Sequence, residues 1–206
     1  MIVSRETRAA ELFGDRADKA LRFADLLGTV GIERGLIGPS EAERIWDRHI
    51  ENCYPISTLC ESSPDKEITL ADIGSGAGLP GIVIALARPD LTITLIEPLK
   101  RRVEFLTEVA DELDLGLEVI QAKAEGVKRG FQHVTARAVA PLERLIESTW
   151  HLIKPHGSLL AMKGERAQQE IEDLSAKILK KPLSVELKEI PFAGQLSRII
   201  IVHRLK

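Results

Sequence analysis

The sequence lacks several features that mark particular classes of protein. Its two cysteines, Cys53 and Cys60, do not form a Cys-x-x-Cys pair, so neither a disulfide framework nor a zinc site is indicated. The first eight residues have no apolar signal core, and the longest central apolar stretch, residues 82–87, is too short to cross a bilayer. We therefore expect a reduced, cytoplasmic protein with no membrane segment and no metal.

Basic charge and aromatic side chains are also scarce. The net charge is −3, which does not by itself indicate a nucleic-acid binder, so any contact with RNA has to use a local basic patch. Aromatic residues make up 4% of the chain, which leaves few candidates to stack on an unpaired base. The 206 residues have an ordinary composition and are enough for one substantial domain with a modest extension.

The chain does contain a glycine-rich loop behind a short apolar stretch. Residues 68–73 are mostly apolar and include Asp72, and three glycines come next at alternate positions, Gly74, Gly76 and Gly78. Glycine tolerates positive φ and lets a ligand approach the backbone closely, and a helix N-terminus presents free N–H groups. The pattern predicts a strand over 68–73 that delivers a small molecule to the tip of a helix beginning near Leu79.

Two kinds of ligand compete for this loop. Residues 76–81 spell the dinucleotide fingerprint G-x-G-x-x-G, which normally begins where the strand ends. Here Asp72 and Gly74 come first, and an acid ahead of G-x-G-x-G resembles motif I of the S-adenosylmethionine (SAM) methyltransferases. SAM carries a sulfonium and an ammonium but no phosphate, so a nearby acid suits it. SAM is favoured over a dinucleotide, and a purely structural loop is the remaining alternative.

Strand and helix patterns alternate after a helical N-terminal region. Residues 61–67 are polar and link the two parts, and the last two strands, 185–190 and 198–202, are separated by a loop too short for a parallel crossover. We predict a Rossmann-like α/β fold of the SAM-methyltransferase type: a mostly parallel seven-stranded sheet that ends in an antiparallel hairpin. Residues 1–64 form a helical extension that packs on the sheet, and residues 65–206 form the SAM-binding core. The other predicted strands are 91–96, 117–121, 132–136 and 158–162, and the predicted helices are 80–87, 99–113, 141–152 and 166–180.

The N-terminal region carries local helix signals. Residues 28–38 are predicted to form a loop, and Ser40 with Glu43 is predicted to form a capping box for the next helix. That helix has His49 on the same stripe as Trp46 and Cys53. A half-buried histidine that satisfies a neighbour is the favoured interpretation of His49, and a site residue is the alternative.

Polar residues lie just after the predicted strands, at the edge where open α/β sheets bind ligands. Glu97 after the second strand suits the two ribose hydroxyls of an adenosine, with a surface glutamate as the alternative. Ala124 and Glu125 come after the third strand near the adenine edge. Arg137 comes after the fourth strand and Lys163 after the fifth. Together with the Gly74 and Gly76 loop, these residues are expected to face one crevice.

The segment after the fourth strand constrains the chemistry of the acceptor. The residues at Arg137 are neither the Asn/Asp-Pro-Pro-aromatic run of exocyclic-amine methyltransferases nor a Pro-Cys nucleophile. The acceptor is therefore expected to be an atom with a lone pair already available.

Three cations, Lys100, Arg101 and Arg102, crowd the first turn of a predicted helix. The macrodipole disfavours each of them there by up to about 1 kcal/mol. They indicate a patch that grips phosphate, or else pair locally with Glu97 and Glu104.

The sequence resembles a known family, the bacterial small-subunit rRNA guanine-N7 methyltransferases, also called glucose-inhibited division protein B. The most specific match is Asp72-Ile-Gly-Ser-Gly-Ala-Gly-Leu-Pro-Gly-Ile. Further matches in the family's order begin at Arg48, Lys100, Ala124, Arg137 and Met162. Residues 30–38 depart from the family's pattern, and His156 replaces one glycine of a turn.

The resemblance implies SAM as cofactor, with contacts from Gly74, Leu79, Ala124, Glu125 and Arg137. It implies methyl transfer to N7 of a guanosine in 16S rRNA of the small ribosomal subunit. Arg137 and Lys163 are then expected to orient the base and nearby phosphates, no acid/base catalyst is expected, and the protein is expected to be a monomer. The alternatives are a SAM-dependent methyltransferase for a small molecule or a protein, or a SAM-binding ribosome-assembly factor without turnover.

Overall fold

The computed structural model describes residues 4–61, 63–137 and 139–206. Its seven strands are β1 (Ile68–Ile73), β2 (Leu91–Glu97), β3 (Glu118–Gln121), β4 (Phe131–Arg137), β5 (Ile153–Lys163), β6 (Leu183–Phe192) and β7 (Gln195–Arg204). They form one sheet in the order β3-β2-β1-β4-β5-β7-β6. Strands β1 to β5 pair in parallel, and β7 runs antiparallel to both β5 and β6. The predicted sheet and its terminal hairpin are confirmed.

The topology places a ligand crevice beside β1. The chain leaves β1 toward β2 and β3 on one side and returns to β4 on the other, so the strand order reverses between β1 and β4. In open α/β sheets the carboxyl ends of the strands at such a reversal border the binding crevice. The glycine loop after β1 and Arg137 at the end of β4 therefore lie next to each other.

Helices cover both faces of the sheet. They are α1 (Arg5–Phe13), α2 (Ala17–Leu26), α3 (Asn52–Ser57), α4 (Gly81–Ala87), α5 (Lys100–Glu112), α6 (Leu142–Thr149), α7 (Ala167–Glu172) and α8 (Ala176–Leu179). Apolar side chains of α1 to α5 form one buried cluster, and those of α6 to α8 join a second. Because both faces are covered, most side chains of β1 and β4 are buried, including the polar side chains of Asp72 and Thr135. Within the described ranges no helix is long and apolar enough to cross a membrane.

The C-terminal half differs from the predicted boundaries in three places. The hairpin turn is only Ala193-Gly194, both with positive φ (49° and 73°), so β6 and β7 extend through most of the predicted loop. The predicted turn at 155–157 lies inside β5, where His156 has φ 62° and the register with β4 shifts. The predicted helix 166–180 is divided into α7 and α8, because Ser175 turns out of the helix to bond the Glu143 carboxylate.

The N-terminal region also departs from prediction. Residues Leu27–Gly31 are π-helical, so the predicted loop 28–38 begins as a continuation of α2. The predicted capping box does not form, since residues Pro39–Arg44 make a 3-10 helix without a side-chain cap. A second π-helical segment, Ile45–Glu51, then leads into α3 and carries the predicted stripe of buried residues.

Arg88, at the end of α4, joins this helical region to the sheet. Its guanidinium donates to the backbone carbonyls of Ser57, Cys60 and Glu61 over 2.8–2.9 Å. It also forms an ion pair with Asp90 at 2.7 Å. One arginine therefore satisfies three carbonyls at the end of the helical region, which fixes that end beside the first helix of the core.

Candidate active site

The loop after β1 has the strand–loop–helix geometry that the sequence predicts. Gly74 and Gly78 have φ values of 66° and 89°, a region that residues with a Cβ rarely adopt. The backbone N–H of Gly74 donates to the carbonyl of Ile96 on β2 at 2.8 Å. A Cβ at Gly78 would lie 2.3 Å from Cδ1 of Ile82, so glycine is also required by packing. The loop is therefore held in one conformation across the ends of two strands.

Asp72, near the end of β1, holds the end of the loop through a hydrogen bond to the first residue of α4. Its side chain is fully buried, and Oδ2 accepts a hydrogen bond from the backbone N–H of Gly81 at 3.0 Å. Oδ1 has no partner among the described residues, and burial raises the pKa of this carboxyl to about 7. The expectation that this acid serves a cationic ligand is not met by the geometry. Asp72 instead fastens the end of β1 to the start of α4.

Glu97 is the acid that reaches the ligand side of the loop. Its Oε2 accepts from the backbone N–H of Gly76, and its Oε1 accepts from that of Leu99, both at 3.0 Å. The side chain is only 1% exposed, and Arg102 lies 3.6 Å from Oε2. Because three groups hold it, the carboxylate has a fixed orientation at the end of β2.

A cavity of about 640 Å³ lies over the glycine loop. Five of the predicted cofactor residues line it: Gly74, Gly76, Leu79, Glu97 and Arg137. The other two, Ala124 and Glu125, are not part of its lining. Ala124 is buried in the 3-10 turn Ala124–Gly126 after β3, and Glu125 on the same turn is exposed. We name this space the cofactor cavity.

Several residues that line the cofactor cavity were not predicted from the sequence. Leu36 and Ile37 come from the segment that was predicted to be a surface loop, and two apolar residues together in a glycine-rich loop were the available signal. Leu99 and Val139 also line it, although they are 52% and 45% exposed. Apolar side chains exposed at the mouth of a cavity favour a ligand with a flat apolar part.

A second cavity of about 690 Å³ adjoins the first, because Arg137 and Val139 line both. Its lining also includes Asn52, Lys163, Arg166 and Glu170. The Lys163 side chain is 6% exposed; its Nζ lies 2.8 Å from Glu170 and donates to the carbonyl of Ala140 at 2.6 Å. Lys163 thus holds the wall of this second cavity, while Arg166 is exposed at its rim.

Two of the three cations at the start of α5 lie near acids of the same region. Lys100 pairs with Glu104 at 3.5 Å, and Arg102 lies 3.6 Å from Glu97, so local pairing accounts for both. Arg101 is exposed and forms no ion pair with the residues that the structure describes. Arg101 is therefore unpaired among the described residues, and Lys100 is still 77% exposed beside its surface pair with Glu104.

Arg137 stands between the two cavities and is held from the helical region. Its Nη2 lies 2.8 Å from Nδ1 of His49, and its Nη1 donates to Sγ of Cys53 at 3.2 Å. Burial and the arginine charge lower the pKa of His49 to about 4, so the ring is neutral near pH 7. His49 therefore bonds a neighbour, as predicted, but it also lines the cofactor cavity, as the alternative of a site residue predicts.

A known protein family matches this chain over most of its length. A model of the family described as rRNA small subunit methyltransferase G matches residues 16–201. The chain belongs to this family. Proteins carrying the family's name include one from Mycobacterium sp. (strain JLS), 48% identical over 182 residues that cover 86% of this chain and 79% of that protein. Another, from Nocardioides sp. (strain ATCC BAA-499 / JS614), is 51% identical over 178 residues covering 82% of this chain and 70% of its own.

Solved structures share the fold at much lower sequence identity. Magnesium protoporphyrin IX methyltransferase from Synechocystis PCC 6803, solved with bound SAM, has a TM-score of 0.63 at 16% identity, covering 91% of this chain and 97% of that one. A SAM-dependent O-methyltransferase from Thermotoga maritima has a TM-score of 0.56 at 13% identity, covering 89% and 71%. The predicted SAM-methyltransferase fold is thus confirmed in a member of the methyltransferase G family.

Proposed function

We propose that this protein is a SAM-dependent methyltransferase that transfers a methyl group to N7 of a guanosine in 16S rRNA. Membership of the methyltransferase G family supports the class of substrate. The observation that carries the proposal is the pair of adjoining cavities that share Arg137 and Val139 as a common wall. A cofactor in one cavity and an acceptor in the other would meet at this wall.

The residues of the cofactor cavity suit SAM. The buried Glu97 carboxylate already accepts one N–H on each oxygen, and each oxygen can accept a second bond, here from a ribose hydroxyl. Leu79 and Leu99 offer apolar surface to the adenine. Arg137 and the Gly74 loop complete the lining. We keep Ala124 and Glu125 as proposed contacts of the adenine edge, on the strength of the family resemblance.

Bound SAM supplies an electrophilic methyl group, and guanine N7 supplies a lone pair with no proton to lose. The protein then has little acid/base work to do, and catalysis depends on proximity and orientation. We assign the orientation of the base to Arg137, because a guanidinium can grip guanine O6. Lys163 fixes the wall behind the base, and the exposed Arg166 is placed to meet a phosphate at the rim.

A flat dependence of the single-turnover rate on pH is expected near neutrality, since N7 needs no general base. The rate would be measured with saturating SAM and purified small subunits from a strain that lacks this protein. A steep titration, abolished by one Glu→Gln change that leaves SAM affinity intact, would contradict the mechanism.

The modification itself is tested by mapping methyl groups on 16S rRNA. Mass spectrometry of rRNA from a deletion strain should show one guanosine without its N7 methyl group, and the purified protein should restore it. If no methyl group is lost, the chain is a SAM-binding assembly factor without turnover. If the methyl group appears only on a protein or a small molecule, the substrate assignment is wrong.

RNA contacts are proposed for Lys100, Arg101 and Arg102, and among these Arg101 is the most available. Replacing Arg101 with Gln should weaken binding to small subunits and reduce the slope of log K against log salt by about 1. Lys180 provides the control, because it is exposed at the end of α8, and α8 packs on the face of the sheet opposite to α5. Equal slopes for the Arg101→Gln and Lys180→Gln variants would remove α5 from the interface.

We also propose that residues 1–64 act as a helical extension on the core 65–206, and that the protein is a cytoplasmic monomer. Support comes from the apolar cluster that continues from α1 and α2 into α4 and α5. Light scattering coupled to size-exclusion chromatography tests the oligomeric state. A dimer that persists at nanomolar concentration would contradict the monomer.

A further inference from the structure

A partly buried network of polar side chains connects the helical region to the wall between the two cavities. Its members, in order, are Glu41, His49, Arg137 and Cys53. His49 lies on the π-helical segment Ile45–Glu51 and is 8% exposed, whereas Arg137 ends β4. This network therefore links two elements whose bonded residues, His49 and Arg137, are 88 positions apart in sequence.

The hydrogen bonds fix the tautomer of the imidazole. A guanidinium only donates hydrogen bonds, so Nδ1 of His49 accepts from Arg137. The proton of the neutral ring is then on Nε2, which lies 3.3 Å from Oε2 of Glu41. These two atoms are buried, and neither has a hydrogen-bond partner among the described residues, so their 3.3 Å separation is a close approach and not a formed hydrogen bond. A donor and an acceptor that would otherwise be unsatisfied thus face each other.

Neutral acceptors leave the charge of Arg137 uncompensated. Cys53 is a buried thiol whose pKa is raised by desolvation, and His49 is neutral, so neither cancels the guanidinium charge. Among the described residues no carboxylate pairs with Arg137. A guanidinium carries five N–H groups, and the two bonds above leave three for other partners on a side chain that lines both cavities.

We propose that His49 is a positioning residue, which Glu41 orients and which holds the Arg137 guanidinium at the wall shared by the cofactor cavity and the second cavity. A neutral acceptor fixes the position of the guanidinium and leaves its positive charge in place. A carboxylate at this position would fix the guanidinium and also neutralise its charge. The part of the proposal that concerns methyl transfer rests on the proposed function. The part that concerns the cofactor cavity does not.

Two substitutions of His49 separate positioning from packing. The amide oxygen of His49→Asn can take the place of Nδ1 and accept from Arg137, whereas the amide of His49→Gln reaches the place of Nε2 and leaves Arg137 without its acceptor. The single-turnover methylation rate of small subunits should fall about 10- to 100-fold in His49→Gln and stay within about threefold in His49→Asn. Circular dichroism and thermal unfolding establish that both variants are folded.

SAM affinity, measured by calorimetry without RNA, provides the second measurement. Because Arg137 lines the cofactor cavity, His49→Gln should weaken SAM binding about tenfold and His49→Asn about twofold or less. If the wild-type protein methylates no small subunits, the proposed function fails while this comparison still tests His49. If the wild-type protein is active but the two variants are equal in rate and affinity, His49 has no positioning role.

His133 is a matched control within the same chain. It is 3% exposed; Ser158 lies 2.8 Å from its Nδ1, and its Nε2 accepts from the backbone N–H of Glu61. The corresponding Asn and Gln variants of His133 should lower the unfolding temperature without separating in rate or in SAM affinity. An equal loss of rate in His133→Gln and His49→Gln would attribute both to general destabilisation and overturn the proposal.

Glu41 allows the same test if His49→Gln does not fold. The Glu41 side chain is 22% exposed on a 3-10 helix and also pairs with Arg48 at 2.9 Å. Removing the carboxylate in Glu41→Ala should lower the rate about three- to tenfold, because the ring loses its orienting acceptor. Arg48→Ala removes the ion pair between Arg48 and Glu41 and should leave the methylation rate unchanged. Equal rates in these two variants would contradict the role of Glu41.

Discussion

Gly81, the first residue of α4, offers a sharp test of how the cofactor loop is held. Its backbone N–H bonds the buried Asp72 carboxylate, and its Cα faces β2. A Cβ at this position would lie 2.4 Å from Cδ2 of Leu95, 2.6 Å from Oδ2 of Asp72 and 2.9 Å from Cβ of Asp72. Alanine can therefore enter only if the helix or the strand moves, and we expect Gly81→Ala to destabilise the protein.

The expected loss combines three contributions. Overpacking a rigid core costs about 1–3 kcal/mol, and loss of the hydrogen bond to the buried carboxylate costs about 1–3 kcal/mol. Alanine recovers up to about 1 kcal/mol through its higher helix propensity. The net loss is about 1–6 kcal/mol, which corresponds to a fall in Tm of roughly 2–24 °C for a chain of this length.

Urea unfolding of Gly81→Ala beside Gly38→Ala is the assay. Gly38 is a matched control because its added Cβ would meet only Ser40 at 3.8 Å and Glu41 at 3.9 Å, which are ordinary contacts. That variant should stay within about 0.5 kcal/mol of the wild-type protein. Adding Leu95→Ala to Gly81→Ala should cost less than the sum of the two single changes, by about 0.5–3 kcal/mol, since the new methyl group then has room.

Equal stabilities of the Gly81→Ala and Gly38→Ala variants would refute this account of the loop. Strict additivity with Leu95→Ala would also contradict it, because the clash would then not involve that side chain.

Three buried or multiply bonded side chains provide further tests. Burial raises the pKa of Asp72 from the usual 3.8 to about 7, so the folded protein holds this proton more tightly than the unfolded chain does. The resulting stabilisation of the folded state is complete below pH 4 and is lost as the pH rises through 7. Relative to the wild-type protein, Asp72→Asn should therefore gain up to about 4 kcal/mol between pH 4 and 8 in urea unfolding, and a constant difference would contradict this. Glu97→Gln should weaken SAM binding about tenfold in calorimetry and also lower the unfolding free energy by about 1–3 kcal/mol, because the amide NH2 would face a backbone N–H that the carboxylate now accepts; an unchanged affinity would remove Glu97 from the ribose site. Arg88→Lys should lower the unfolding free energy by about 1–3 kcal/mol, because an ammonium cannot serve three carbonyls and Asp90 together; a neutral result would show that the helical region is held by its apolar contacts alone.

Local patterns were sufficient where the signal is short in sequence. The first strand was predicted at its observed bounds, Ile68–Ile73, because a mostly apolar run between the charged residues 65–67 and Gly74 leaves few alternatives. The hairpin was predicted because a short connection excludes a parallel crossover. Its turn was predicted too long, since Ala193 adopts a positive φ that its residue type does not announce.

Local sequence patterns could not predict which side chains pair in the folded protein. Lys163 lines the second cavity, but its ammonium also pairs with Glu170, a residue of a helix that the sequence extended too far, and that pairing was not predicted. Two of the cations at the start of α5 are engaged by nearby acids, an alternative that the sequence offered but did not resolve.

The sequence by itself determined the order of strands and helices and the residues at the strand ends, because hydrophobic periodicity and turn chemistry are properties of neighbouring residues. Tertiary structure decided which of those residues share a cavity. Glu97 and Arg137 line the cofactor cavity while Glu125 does not, and His49 is beside Arg137 only because the helical region packs over the ends of β1 and β4. Contacts between such distant segments depend on how whole elements pack, and that information is spread over the entire core.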